Sequence, residues 1–308
     1  MNNQAYPRPG LLDWTLMLSL AFLWGGSYFL SALALRGLPP FTVVSIRLVI
    51  GAALLLAYVS ARGYSFILPF KLWRDMFILG FLNLFLPFCL ITWGQQQIAS
   101  GLAAIFNTTA PLFAVVVAHY ATRDERLTVP KFVGVLLGMA GVSVMVGVGA
   151  LRGLGDQVVA QVAVLCGAFS YGVAAVYARR FRHQPSMVTA TGQVTGAAVL
   201  SLPVALIVDQ PWTLSMPGTV PIVAVLALAV LSTGITPLLY FAILKSVGAT
   251  NGIIVTFLAP VSALLLGIFI LGETFTPQQG FGILLIGMGL ASIDGRPLAR
   301  LRAALAGS

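Results

Sequence analysis

Four prolines, Pro87, Pro111, Pro237 and Pro260, each stand four residues after a polar side chain, respectively Asn83, Asn107, Thr233 and Thr256. A proline inside a helix removes one backbone hydrogen bond and frees the carbonyl four residues earlier. All four pairs therefore mark places where a helix can bend while a nearby amide or hydroxyl satisfies the opened backbone. One reading gives these bends to a polar cavity, with the prolines as gates and Asn83 and Asn107 on its wall. The other makes them ordinary kinks whose polar neighbours glue helices together. Arg47 is the one charged residue clearly inside an apolar run, roughly 9 Å from its start at a rise of about 1.5 Å per residue. Such a charge is costly unless paired or wet. It either meets the carboxylate of a solute or has a structural part, capping carbonyls or pairing with Glu273.

Aromatic residues add a second chemistry. Trp24 and Tyr28 are four apart and share one helix face. With Tyr171 and Trp93 they are spaced to face one another across a bundle, a wall suited to large apolar side chains. Trp93 and Trp73 have an alternative use as anchors at a membrane interface. Gln193 and Ser232 lie near the middle of apolar runs and can supply polar contacts.

The absences are also informative. Asp13, Glu273 and Asp294 fall at the ends of apolar runs and the other acidic residues in loops, so no carboxylate occupies a run's middle. Proton-driven antiporters and pumps for cationic drugs usually keep one there. The expectation is a facilitator, or coupling through an end residue, with neutral or zwitterionic solutes. Cys89 and Cys166 sit in apolar runs, and His119 and His183 have no companions at ligand spacing, so neither a metal site nor a cofactor is expected. A polytopic membrane enzyme is the competing class and needs paired carboxylates or a His with an acid. The densest acidic site, Asp124-Glu125 between Arg123 and Arg126, reads more simply as a solvated turn. A channel-like facilitator is the third class, without a filter motif to support it.

These groups must be positioned by membrane helices. Of 308 residues 59% are hydrophobic and 8% charged, against about 25% charged in soluble domains. Ten apolar runs match the bilayer, at 12 to 35, 41 to 61, 74 to 94, 97 to 118, 130 to 149, 158 to 178, 186 to 207, 218 to 241, 247 to 270 and 276 to 294. Their lengths and the lack of alternation exclude strands, so an all-α membrane protein of ten transmembrane helices is expected. The first run is too long for a cleavable signal peptide. Numbered by parity, 14 Lys and Arg fall on the side of the N-terminus and only Arg36 and Arg152 on the other. The positive-inside rule then places both termini in the cytoplasm. The net charge of +9 is spread over loops without a basic, aromatic-interleaved patch, so the lipid bilayer and a small-molecule substrate are the expected partners, not nucleic acid.

The chain also resembles itself. Pro87 to Gly101 aligns with Pro237 to Asn251 at an offset of 150, and Ala110-Pro111 lies over Ala259-Pro260. Glu125 and Gly134 correspond to Glu273 and Gly282, while Pro40 and Gly51 fall on Pro185 and Gly196. Residues 1–150 and 151–308 read as two five-helix copies. Because five is odd, the second is inverted, and such pairs place a substrate site near the midplane between them. Gly134, Gly138 and Gly141 in span five, and Gly280, Gly282, Gly287 and Gly289 in span ten, have small-residue spacing for close packing. Both spans are expected outside the cavity, with a homodimer surface as one use.

The motif Leu23-Trp24-Gly25-Gly26-Ser27, Arg47 early in span two, the Ala-Pro of spans four and nine and the Glu after each of those spans resemble the EamA-type drug/metabolite transporter superfamily. The resemblance covers nearly the whole chain. It implies alternating access in the inner membrane, and within that group the chain is most similar to YddG-type exporters of amino acids, aromatic ones included. One departure is that span six carries Leu165-Cys166-Gly167-Ala168 in place of the usual tryptophan-containing motif.

Overall fold

The computed structural model describes residues 10–64, 66, 68–122, 128–146 and 156–294. The expected loop motif at Glu125, the junction at residues 150 and 151 and the basic C-terminal tail lie outside them. Among the described residues the structure is helical throughout, without strands.

Seven helices are long and apolar enough to cross a membrane: α1 (Leu11–Ala34), α2 (Pro40–Ala61), α3 (Phe70–Gly94), α4 (Ser100–Ala121), α6 (Gln157–Phe181), α7 (Ser186–Asp209) and α8 (Thr219–Ser246). Three shorter apolar helices complete the bundle: α5 (Val129–Met145), α9 (Leu258–Leu271) and α10 (Pro277–Ile293). Phe132 and Leu136 of α5 and Phe281 and Leu284 of α10 are exposed. A surface apolar to that degree suits lipid, not water.

The boundary between α8 and α9 differs from the expected gap at 242 to 246. Backbone hydrogen bonding is helical from Thr236 to Leu266. A straight helix would carry Ser262 about 33 Å from Tyr240. Instead the Tyr240 ring lies 5.7 Å from that of Trp24, and the Ser262 hydroxyl donates to the Ala21 carbonyl at 2.9 Å, three residues away on the same helix. The chain therefore reverses between Ser246 and Val255. Packing of Ile243 against Met17 and Leu20, and the hydrogen bond from the Ser246 hydroxyl to Asp13, hold α8 helical past its expected end.

Helix ends sort into two levels. Asp13 with Ser246, and Met76 with Phe181 and Val188, define the end at which α1 begins, here the near end. Gly37 with Pro221, Thr42 with Asp209, and Ser100 with Glu273 define the far end. α6 begins at the far end, with Ala160 against Gly94, so it runs opposite to α1.

The two five-helix sets exchange equivalent contacts. Gly25 of α1 lies against Ala263 of α9, and Gly172 of α6 against Ala114 of α4; an added Cβ would come 2.8 Å from the amide nitrogen in both cases. Gly51 of α2 abuts Thr233 of α8, and Gly196 of α7 abuts Phe77 of α3. Between α5 and α10, a Cβ on Gly134 would sit 2.5 Å from the Gly289 carbonyl oxygen, and one on Gly141 2.6 Å from that of Gly282. Gly134, Gly141, Gly282 and Gly289 are thus closed on the facing helix, while Gly287 of α10 meets nothing within 4 Å.

Candidate functional site

Three of the four proline sites disturb their helices where the freed carbonyl predicts it. A wide π turn spans Phe81–Phe85 around Asn83 before Pro87, and another spans Leu228–Ile235 around Thr233 before Pro237. In α4 the helix stops at Asn107 and restarts at Ala110. Hydroxyls satisfy the opened backbone: Thr108 and Thr109 donate to the Ile105 and Phe106 carbonyls at 2.6 Å, and Thr236 to Ser232 at 2.8 Å. The fourth site, Thr256 before Pro260, stays helical, and the wide turn of α9 lies further on, at Gly267–Leu271. A second unpredicted wide turn, Ala205–Asp209, follows Pro203 in α7.

The breaks before Pro87, Pro111 and Pro237 border a cavity of about 630 Å³, within the usual range of about 300–1,000 Å³ for small-molecule sites. Trp24, Tyr28, Arg47, Asn83, Asn107, Tyr171, Gln193 and Ser232 all line it. Pro111, Pro237 and Pro260 also reach its wall. Pro87 does not; it is buried against Gly167 of α6. Trp93 is likewise absent from the wall, so it faces none of the other aromatics there.

Arg47 is 5% exposed. Its Nε donates to the Thr233 hydroxyl at 3.2 Å, and its guanidinium carbon stands 3.8 Å from the centre of the Phe88 ring. Stacking on an aromatic face stabilises a desolvated cation by about 2 kcal/mol. Pairing with Glu273 does not occur: that carboxylate accepts from the backbone N–H groups of Ser100 and Gly101 at 2.7 and 3.0 Å. Exposed N–H groups at a helix start attract a carboxylate more strongly than a distant arginine can.

Most of the polar wall already has protein partners. The Asn83 amide donates to the Gln193 carbonyl oxygen at 3.0 Å, joining α3 to α7. Ser232 donates to the Leu23 carbonyl at 3.2 Å, and Ser27 to that of Trp24 at 2.6 Å. The Asn107 Oδ1, in contrast, is buried without a hydrogen-bond partner. A buried orphan acceptor costs about 1–3 kcal/mol; this oxygen is closed off from the cavity space, although the Asn107 side chain lines the wall and stands within hydrogen-bonding reach of Tyr28. Tyr28 lies close to both Asn107 and Arg47. Among the described lining residues Arg47 carries the only charge.

Sequence reasoning missed several participants. Phe88, Tyr240 and Phe241 line the cavity and complete its aromatic wall. Asp209, expected in a loop, accepts from the Thr42 N–H and hydroxyl at 2.5 and 2.9 Å and caps α2. The departure expected in span six is also corrected. Because Gly25 and Gly172 make the same contact, the counterpart of Trp24-Gly25 is Tyr171-Gly172, not Leu165-Cys166. Trp24 and Tyr171 are matched aromatics on the wall of one cavity.

Comparison with known proteins agrees with this architecture. The model of the EamA-like transporter family matches twice, over residues 14–147 and 159–293. The chain is 24% identical over 291 residues to the Escherichia coli (strain K12) "Uncharacterized inner membrane transporter YedA", covering 92% of each chain. It is 24% identical over 279 residues to the Bacillus subtilis (strain 168) "Uncharacterized transporter YoaV", covering 89% of this chain and 94% of that one. A protein of known crystal structure superposes with a TM-score of 0.64 at 22% identity, over 92% of this chain and 97% of the other, which shows a shared fold. The helices, the cavity and both matched halves lead to one assignment: this chain belongs to the EamA-like transporter family and is a multi-pass transporter of the inner membrane.

Proposed function

We propose that the protein exports small zwitterionic metabolites, chiefly neutral and aromatic amino acids, by alternating access through the central cavity. The observation that carries this reading is the Arg47 cation on the wall of an aromatic-lined cavity, with no acidic residue among the described lining. Arg47 would take the carboxylate and Asn107 the ammonium. The side chain would lie among Trp24, Tyr171, Tyr240 and Phe241.

Ten apolar runs read as ten crossings, and the 14 to 2 distribution of basic residues then supports both termini in the cytoplasm. The near end is then cytoplasmic and the far end periplasmic. Residues 1–150 and 151–308 act as the two inverted units, and the wide turns before Pro87 and Pro237, with the break before Pro111, are the hinges. The preference for amino acids and the outward direction rest on similarity to YddG-type exporters.

The test is counterflow of labelled phenylalanine, leucine and other neutral amino acids in proteoliposomes, with and without a proton gradient, beside Arg47→Gln. Saturable exchange independent of the gradient and lost in the variant is expected. Exchange undiminished in Arg47→Gln would remove the carboxylate anchor. No exchange of any amino acid by folded protein would remove the substrate class.

A further inference from the structure

A second, smaller volume of about 300 Å³ adjoins the central cavity at the near end. The two share Asn83, Ala175, Ala190, Gln193 and Phe241, so the hydrogen-bonded Asn83 and Gln193 amides stand at the boundary between them. Beyond that boundary the wall carries Arg182, Ser186 and Thr189. None of the described lining residues is acidic. The pattern of the central cavity, one arginine beside hydroxyls and no carboxylate, is thus repeated one step nearer the bundle's end.

Arg182 does not merely solvate a loop. Its Nε donates to the His183 ring at 3.0 Å, which fixes the root of the side chain beside the volume it lines. Ser186 and Thr189 stand in the first turn of α7, whose positive end adds to the field. On the preceding turn Arg180 stacks over the Tyr177 ring with Asp75 close to both, so its charge is partly offset. Arg182 and the helix start on the wall still make the mouth an anion-attracting vestibule, and low-dielectric walls focus such a field.

We infer that this vestibule is an entry subsite that captures the carboxylate of a solute at Arg182 before it passes the Asn83–Gln193 pair to Arg47. The inference rests on the zwitterion reading for the identity of the solute, but not for the vestibule's preference for anions.

Two measurements separate those dependencies. In the first, Ser186→Cys on a Cys166→Ser background is labelled in nonionic detergent, where no lipid phosphate competes. Anionic sulfonate and cationic ammonium thiol reagents are compared, with Arg182 and with Arg182→Gln. The anionic reagent is expected to react faster, and the ratio of rates to fall about tenfold in the variant, the effect of removing roughly 1.4 kcal/mol of attraction. In the second, phenylalanine uptake is followed in inside-out vesicles. Arg182→Gln is expected to raise KM severalfold with the maximal rate kept, to flatten the salt dependence, and to be restored by Arg182→Lys. A reagent ratio that Arg182→Gln leaves unchanged overturns the subsite. A ratio that falls while no amino acid is carried leaves the subsite standing and removes the amino-acid reading. A ratio that falls while phenylalanine keeps its KM overturns the capture step.

Discussion

Gly25 approaches Ala263 so closely that a Cβ on the glycine would lie 2.8 Å from the alanine's amide nitrogen. The same separation recurs between Gly172 and Ala114, with the helices of the two halves exchanged. Trp24 and Tyr171, each one residue before its glycine, are thereby carried to the cavity wall. The close approach is what fixes the cavity's width.

Gly25→Val and Gly172→Val are therefore expected to act alike despite lying in different halves. Each inserts a branched side chain against backbone that cannot move aside, and such overpacking costs about 1–3 kcal/mol. Thermal unfolding in detergent should show a lower midpoint for both, and counterflow should fall severalfold in the protein that remains folded. A Gly172→Val protein with normal stability and transport would break the equivalence.

The bundle and the inner wall of the cavity were legible in the sequence because both depend on local rules. Proline offsets locate Asn83, Asn107 and Thr233 without knowledge of any partner, and helix periodicity puts Trp24 beside Tyr28. What a residue packs against after the chain has folded is not local. The Trp24 counterpart at Tyr171 shares almost no identity in its flanks, and only the repeated glycine contact reveals it. Asp209 was unreadable for the same reason: its partner Thr42 is 167 positions away. Glu273 looked available to Arg47 by depth alone, but the open N–H groups of Ser100 and Gly101 are nearer.

Asn107→Leu tests the ammonium anchor. The Oδ1 has no partner in this state and would have to turn toward the cavity to accept from a solute's ammonium. A charge-assisted bond of this kind contributes about 1.5–3 kcal/mol, so KM for phenylalanine should rise about tenfold or more. Phenylpropionate has the carboxylate and ring but no ammonium, and its handling should be unchanged by the substitution. Equal effects on both solutes would show that Asn107 shapes the cavity and recognises no ammonium.

The far end is held by two carboxylates that cap helices across the halves, Asp209 on α2 and Glu273 on α4. Removing a cap typically costs about 0.5–2 kcal/mol. In an alternating-access carrier that loss falls on the state closed at this end. Asp209→Ala and Glu273→Ala should thus expose the cavity to the outside more often. With Ala104→Cys as a reporter on the cavity wall, in a Cys166→Ser background, an impermeant thiol reagent should label intact cells several times faster in either variant. Unchanged labelling in both would mean that these caps only stabilise their helices.

Phe88 separates the charge of Arg47 from its placement. The ring faces the guanidinium at 3.8 Å and Thr233 fixes Nε, so the remaining N–H groups hold one direction. Phe88→Leu keeps an apolar wall but removes the aromatic face, a loss of about 1–2 kcal/mol for a desolvated cation. Arg47→Lys keeps a cation but loses the flat shape that stacks and presents paired donors. If placement matters, both variants should weaken amino-acid binding about tenfold while retaining measurable exchange, and together they should cost little more than either alone, because each disrupts the same contact. If charge alone matters, Arg47→Lys will transport with the parent's KM and Phe88→Leu will change only stability. The double variant decides between them, since independent losses would multiply where a shared contact can be lost only once.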